Sequence, residues 1–121
     1  MAAVTTLLVD DHAFFRRTLR SFLEQQHTLQ VVGEAADGRE ALEQVGQCHP
    51  AVVIMDIHMP HLNGWDACRE IKTAYPETKV ILYTAADADT YEHSSSPADA
   101  FMPKQTLFEK LMPLLGTMAG P

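Results

Sequence analysis

Apolar runs alternate along this chain with stretches whose apolar positions recur every three or four residues. The first run, from Val4 to Val9, is broken only by Thr5 and Thr6 and ends at Asp10-Asp11. Beyond it, Phe15, Leu19, Phe22 and Leu23 follow the i, i+4, i+7, i+8 spacing of one buried helix face. Residues 29–34 read as a short strand centred on Val31-Val32. Asp37, three positions before Glu40, has the signature of a helix N-cap, and Ala41, Leu42 and Val45 supply the apolar side of the helix it opens. The run Ala51-Val52-Val53-Ile54-Met55 is wholly apolar and ends at Asp56. Asn63-Gly64 starts a third helix carrying Ala67, Cys68, Ile71 and Tyr75, stopped ahead of Pro76. Lys79-Val80-Ile81-Leu82-Tyr83 predicts a strand ending at Thr84, and Ala100-Phe101-Met102 a short fifth one. Leu107, Leu111, Leu114 and Leu115 mark a final helix, which Pro113 should kink or end early.

Strands that alternate with helices imply right-handed crossovers and a parallel sheet covered on both faces, an α/β doubly wound fold. Ligands in such sheets bind beyond the carboxyl ends of the strands, near the point where strand order switches. That rule gathers Asp10, Asp11, Asp56 and Thr84 at one edge from topology alone. A carboxylate at the tip of a buried strand is costly unless something there uses its charge. The pattern therefore suggests a cation site facing a nucleophilic carboxylate.

The chain is 121 residues long, the size of one domain, and residues 1–121 are read as a single unit. Nine basic against sixteen acidic residues leave a formal charge of −7, a surface that repels phosphate backbones and disfavours direct nucleic-acid contact. No apolar stretch approaches membrane-spanning length and no signal-peptide pattern opens the chain, so the expected location is cytoplasmic. Cys48 and Cys68 lack CxxC spacing and are expected reduced. His58 and His61 have no companion pair at zinc-ligand spacing.

Several pieces in order now carry a resemblance. They are Leu7-Leu8-Val9-Asp10-Asp11-His12, Val31-Val32-Gly33-Glu34-Ala35, Asp37-Gly38, Met55-Asp56-Ile57 through Met59-Pro60, Asn63-Gly64, Thr84-Ala85, Ala98-Asp99-Ala100-Phe101 and Lys104. Over about residues 5–112 the chain resembles the receiver domain (CheY-like) of a bacterial two-component response regulator, and is most similar to the NarL/FixJ-type subgroup. The resemblance implies a flavodoxin-like sheet of five parallel strands in the order 2-1-3-4-5, flanked by helices. It implies that Asp56 accepts a phosphoryl group from a sensor histidine kinase. Asp10, Asp11, Asp56 and the backbone carbonyl of His58 would hold Mg²⁺, while Lys104, the Thr84 hydroxyl and the Ala85 N–H would contact the phosphoryl oxygens. Thr84 and Phe101 would form the switch, Phe101 moving inward when Thr84 shifts. His12 and His58 are not expected to act as catalytic side chains, although His58 overlooks the phosphoryl position. The resemblance makes the chain no enzyme beyond its own phosphorylation and dephosphorylation.

Two departures bear on output. The family's helix between the fourth and fifth strands falls on Ala85 to Ala98, which lacks an apolar stripe and carries three serines before a proline; a short, frayed or absent helix is expected there. This puts in question the usual signalling surface, including a homodimer formed through it. Pro103 is tolerated because the fifth strand lies at the sheet edge, and Gln105 follows Lys104 where many receivers have proline. Three functional readings stand. The first is a phosphorylated receiver controlling a helix-turn-helix transcription regulator domain beyond Pro121, through which alone DNA would be bound. The second is a stand-alone or degenerate receiver acting as a protein-binding module. The third is an aspartate-nucleophile phosphatase of the haloacid dehalogenase type, which would need a second acid where His58 stands.

Overall fold

The computed structural model describes residues 3–85 and 96–119. Its strands are β1 (Val4–Val9), β2 (Leu29–Ala35), β3 (Val52–Asp56), β4 (Lys79–Thr84) and β5 (Ala100–Pro103). They form one parallel sheet in the order β2-β1-β3-β4-β5. The helices are α1 (Ala13–Glu24), α2 (Gly38–Cys48), α3 (Gly64–Ala74) and α4 (Leu107–Ala119), the last preceded by a 3₁₀ turn at Lys104–Thr106. The expected strand order and element sequence are thus observed. The expectation of a short or irregular helix across 85–98 lies largely outside the described residues.

Period-two alternation divides each central strand between two cores. Leu7, Val9, Val53, Met55, Val80 and Leu82 pack with α2 and α3, through Ala41, Val45, Ala67, Cys68 and Ile71. Leu8, Val52, Ile54, Ile81 and Tyr83 pack on the opposite face with α1 and α4, through Leu19, Leu23, Leu107, Leu111 and Leu115. All five residues of β3 are buried, as befits a strand with neighbours on both edges and helices on both faces.

The helix starts follow from local chemistry. Asp37 accepts the Glu40 N–H at 2.8 Å, and Glu40 accepts the Ala36 N–H at 2.6 Å, satisfying two otherwise unpaired donors at the start of α2. Asn63 does the same for α3, accepting the Asp66 N–H at 2.9 Å. Of the two effects expected of Pro113 on the last helix, a kink or an early end, the second fails. Pro113 does not end the last helix, which runs on to Ala119. Proline removes one rung of the ladder, but Leu111 and Leu115 on either side of it are buried in the α1–α4 core and hold the helix against the sheet. Pro103, at the end of edge strand β5, is accommodated as expected.

Candidate functional site

Register decides which side chains meet. Val9 pairs with Met55, and Asp56 with Tyr83, so Asp10 and Asp56 leave neighbouring strands at the same level. By alternation Asp10 follows Leu8, Asp56 follows Ile54, and Tyr83 itself lies in the α1–α4 core. These three residues therefore share one face of the sheet at its carboxyl edge. Thr84, one residue on from Tyr83, alternates to the other face, where Phe101 packs against the α2–α3 core. Thr84 pairs with Pro103, which brings Lys104 just past the same edge.

The carboxylates converge. Asp10, Asp11, His12 and Asp56 each offer a ligand atom, all within 4.8 Å of one another. Asp10 and Asp56 are buried, while Asp11 and His12 are exposed. Each oxygen of Asp10 is engaged: one accepts the His12 N–H at 2.8 Å and the other accepts the Tyr83 hydroxyl. The His12 Nδ1 lies 3.3 Å from both Asp10 Oδ1 and Asp11 Oδ1. Asp56 accepts the His58 N–H at 3.1 Å, folding the β3–α3 loop back over its carboxylate.

Burial pushes the Asp56 carboxyl up to about 6; the His58 N–H opposes this, the neighbouring charge of Asp10 adds to it, and the Lys104 ammonium opposes it again. Tyr83 is raised far above its ordinary value by burial first and the Asp10 charge second, so it stays a protonated donor. The loop beyond Asp56 is fixed from below. Ile57 donates to the Tyr83 carbonyl at 3.0 Å, and Gly64 donates to the Ile57 carbonyl at 2.9 Å. A Cβ at Gly64 would lie 2.4 Å from the Asp56 carbonyl oxygen, so only glycine lets the start of α3 approach this closely.

Sequence reasoning named Asp10, Asp11, Asp56, His58, Thr84, Ala85, Phe101 and Lys104. The structure brings the three aspartates together, sets the His58 backbone on Asp56, and carries Thr84 and Lys104 to the same edge. Three oxygen-bearing carboxylates within reach of one another have the donor chemistry of a hard divalent cation such as Mg²⁺. The His58 and His61 side chains do not belong to that group. Lys104 takes up an unexpected position: its Nζ lies 3.9 Å above the Phe15 ring, and among the described residues it makes no ion pair with a carboxylate.

Sequence reasoning missed the supporting residues. Tyr83 appeared only as strand, Phe15 only as core, and Arg16 not at all. Arg16 donates to the Asp10 backbone carbonyl and pairs with Glu34 at 2.6 Å, tying α1 to the end of β1 and to β2. The readable signal was Tyr83, a polar tip at even spacing from the strand's buried positions. Trp65 stacks on Phe101 with centroids 5.4 Å apart.

The family model for the response regulator receiver domain matches residues 6–115. A protein-glutamate methylesterase/protein-glutamine glutaminase of Alkalilimnicola ehrlichii is 42% identical over 106 residues, covering 84% of this chain and 27% of that protein. The response regulator protein VraR of Staphylococcus epidermidis is 34% identical over 106 residues, covering 86% of this chain and 51% of that one. The chain thus spans between about a quarter and a half of the length of these relatives. Among solved structures, the signal receiver domain of NarL from Mycobacterium tuberculosis superposes with a TM-score of 0.89 at 27% identity, covering 100% of both chains. With the doubly wound sheet and the carboxylates at its edge, this match makes the chain a member of the response regulator receiver domain family.

Proposed function

We propose that this receiver domain accepts a phosphoryl group on Asp56 from a phosphohistidine of a sensor kinase. The reading is carried by one observation: a buried, strand-end carboxylate that lies within 4.8 Å of ligand atoms on two further carboxylates, Asp10 and Asp11. Nothing in a purely structural role requires that concentration of negative charge. An Asp56 oxygen attacks phosphorus, the P–N bond breaks, and the imidazole leaves with the electron pair and takes a proton from water. The product is an acyl phosphate on Asp56.

Asp10, Asp11, Asp56 and the His58 carbonyl would hold a magnesium ion. When bound, the ion neutralises charge on the carboxylates and on the incoming phosphoryl oxygens. The chain's own groups do the rest. Asp10, held by Tyr83 and His12, stays oriented, and the His58 N–H fixes one oxygen of Asp56. Lys104, the Thr84 hydroxyl and the Ala85 N–H would receive the phosphoryl oxygens, so the rate comes from positioning and charge neutralisation. Thr84 and Phe101 share a sheet face and would carry the switch between two states. We read residues 1–121 as one such domain acting in the cytoplasm.

For output, a transcription regulator of the NarL type is supported by the full-length superposition on the NarL receiver and by the likeness to VraR. In that reading DNA would be bound through a helix-turn-helix domain and not by this receiver, and a homodimer would form through the surface that includes β5 and α4. The 42% identity to a methylesterase/glutaminase supports a second reading, control of an effector enzyme. Incubation with acetyl phosphate and Mg²⁺ tests the shared core of both. Intact mass should rise by one phosphoryl group, EDTA should prevent the rise, and Asp56→Asn should abolish it. Labelling that persists in Asp56→Asn would overturn the assignment.

A further inference from the structure

We propose that Phe15 is a seat for Lys104, keeping its ammonium near Asp56 but out of direct ion pairing with the acidic cluster until phosphoryl oxygens draw it off; this rests on the reading of Lys104 as a phosphoryl contact. Lys104 Nζ lies 3.9 Å from the Phe15 ring centroid, inside the range in which an ammonium is attracted by the negative face of the ring. The attraction of three nearby carboxylates would be the obvious alternative, yet among the described residues Lys104 makes no ion pair with any of them.

The seat is itself braced. Phe15 sits 5.7 Å from the Tyr83 ring and 5.8 Å from Phe108, and Phe108 meets Phe22 edge-on at 5.0 Å. The row thus links α1, β4 and α4. Tyr83 at its end donates to Asp10, so the element that holds the acid also backs the ring that holds the lysine. An ammonium that must leave a favourable position before meeting the phosphoryl group weakens the phosphorylated state by the stability of that position. Phe15 is therefore a positioning residue, acting through Lys104.

The ε-methylene protons of Lys104, identified by their loss in Lys104→Met, should resonate upfield in the unphosphorylated protein because they lie over a ring. Phe15→Leu should return them to the ordinary position, and Phe15→Tyr should keep them shifted. Addition of beryllofluoride at saturating Mg²⁺ should move them out of the shifted position. Under those conditions Phe15→Leu should bind beryllofluoride about two- to fivefold more tightly, as expected for loss of a partly exposed cation–π contact, and Phe15→Tyr should bind as the parent does. In the Lys104→Met background, Phe15→Leu should change nothing. Ordinary ε-methylene shifts in the parent protein would overturn the seat, as would an affinity change that persists without Lys104. Absence of any Asp56-dependent beryllofluoride binding would instead remove the phospho-acceptor reading, with the upfield resonance still reporting the seat.

Discussion

Burying Asp56 costs the fold stability, and the sign of that effect is fixed by its titration. In the unfolded chain it ionises near 4; in the fold, burial raises it to about 6. Between these values the folded state holds the proton more tightly, so stability is full below about pH 4 and falls as pH rises, the loss being complete above about pH 6. Two pKa units amount to at most about 3 kcal/mol, and to nearer 1–2 kcal/mol once water at the strand ends screens the charge. Asp56→Asn should therefore be the more stable protein by about 1–2 kcal/mol at pH 7.5 without divalent ions, and equal to the parent at pH 4, by urea unfolding. An asparagine variant no more stable at pH 7.5 would refute a buried, uncompensated charge. The carboxylates themselves were legible from residues, because acids that end apolar runs stand out. Their supports were not. Tyr83 reaches Asp10 only because register sets it beside Asp56 on the α1 face, and Phe15 meets Lys104 only because α1 crosses that same edge. Neither pairing has a local pattern.

At the scale of elements, the start of α3 matters most to the site. Asn63 caps it and Gly64 lets it abut the Asp56 carbonyl. The two residues fail differently. Asn63→Ala should cost about 1 kcal/mol through the lost cap, with the rate of phosphorylation by acetyl phosphate kept. In Gly64→Ala the new Cβ meets backbone at 2.4 and 2.6 Å, on Asp56 O and Ile57 Cα, which cannot turn aside as a side chain could. It should cost about 1–3 kcal/mol and also slow phosphorylation, because relief comes only by moving Asp56 or the loop after it. Equal rates in the two variants would show that the close approach has no hold on Asp56. Strands and helices here were readable from apolar period and caps, since both cores use the same alternation along β1, β3 and β4. The early end allowed for at Pro113 was a misreading because its local effect was judged alone. The buried leucines on both sides of it outweigh one missing hydrogen bond.

Taken as a molecule, the protein brings negative charge from separate strands to one edge, against a formal charge of −7 for the whole chain. If the edge holds a cation, as proposed, that arrangement would couple folding to cation binding. The unfolded chain disperses Asp10, Asp11 and Asp56 along forty-odd residues of sequence and offers no comparable site, so an ion that binds the fold must stabilise it by mass action. Above the dissociation constant, each tenfold rise in Mg²⁺ should add about 1.4 kcal/mol to the unfolding free energy at pH 7.5. Sodium chloride at matched ionic strength should not reproduce this, because screening acts on dispersed surface charge whereas coordination needs the gathered oxygens. Asp11→Asn is the informative variant: the residue is exposed, so its loss leaves no buried group unpaired, and although it also meets His12 at 3.3 Å, the Mg²⁺ dependence of its stability reads the ion. In that variant the rise in urea midpoint should begin at higher Mg²⁺. Midpoints that respond equally to magnesium and sodium salts, or an Asp11→Asn curve that overlays the parent's, would mean that the edge gathers its acids for some purpose other than holding a cation.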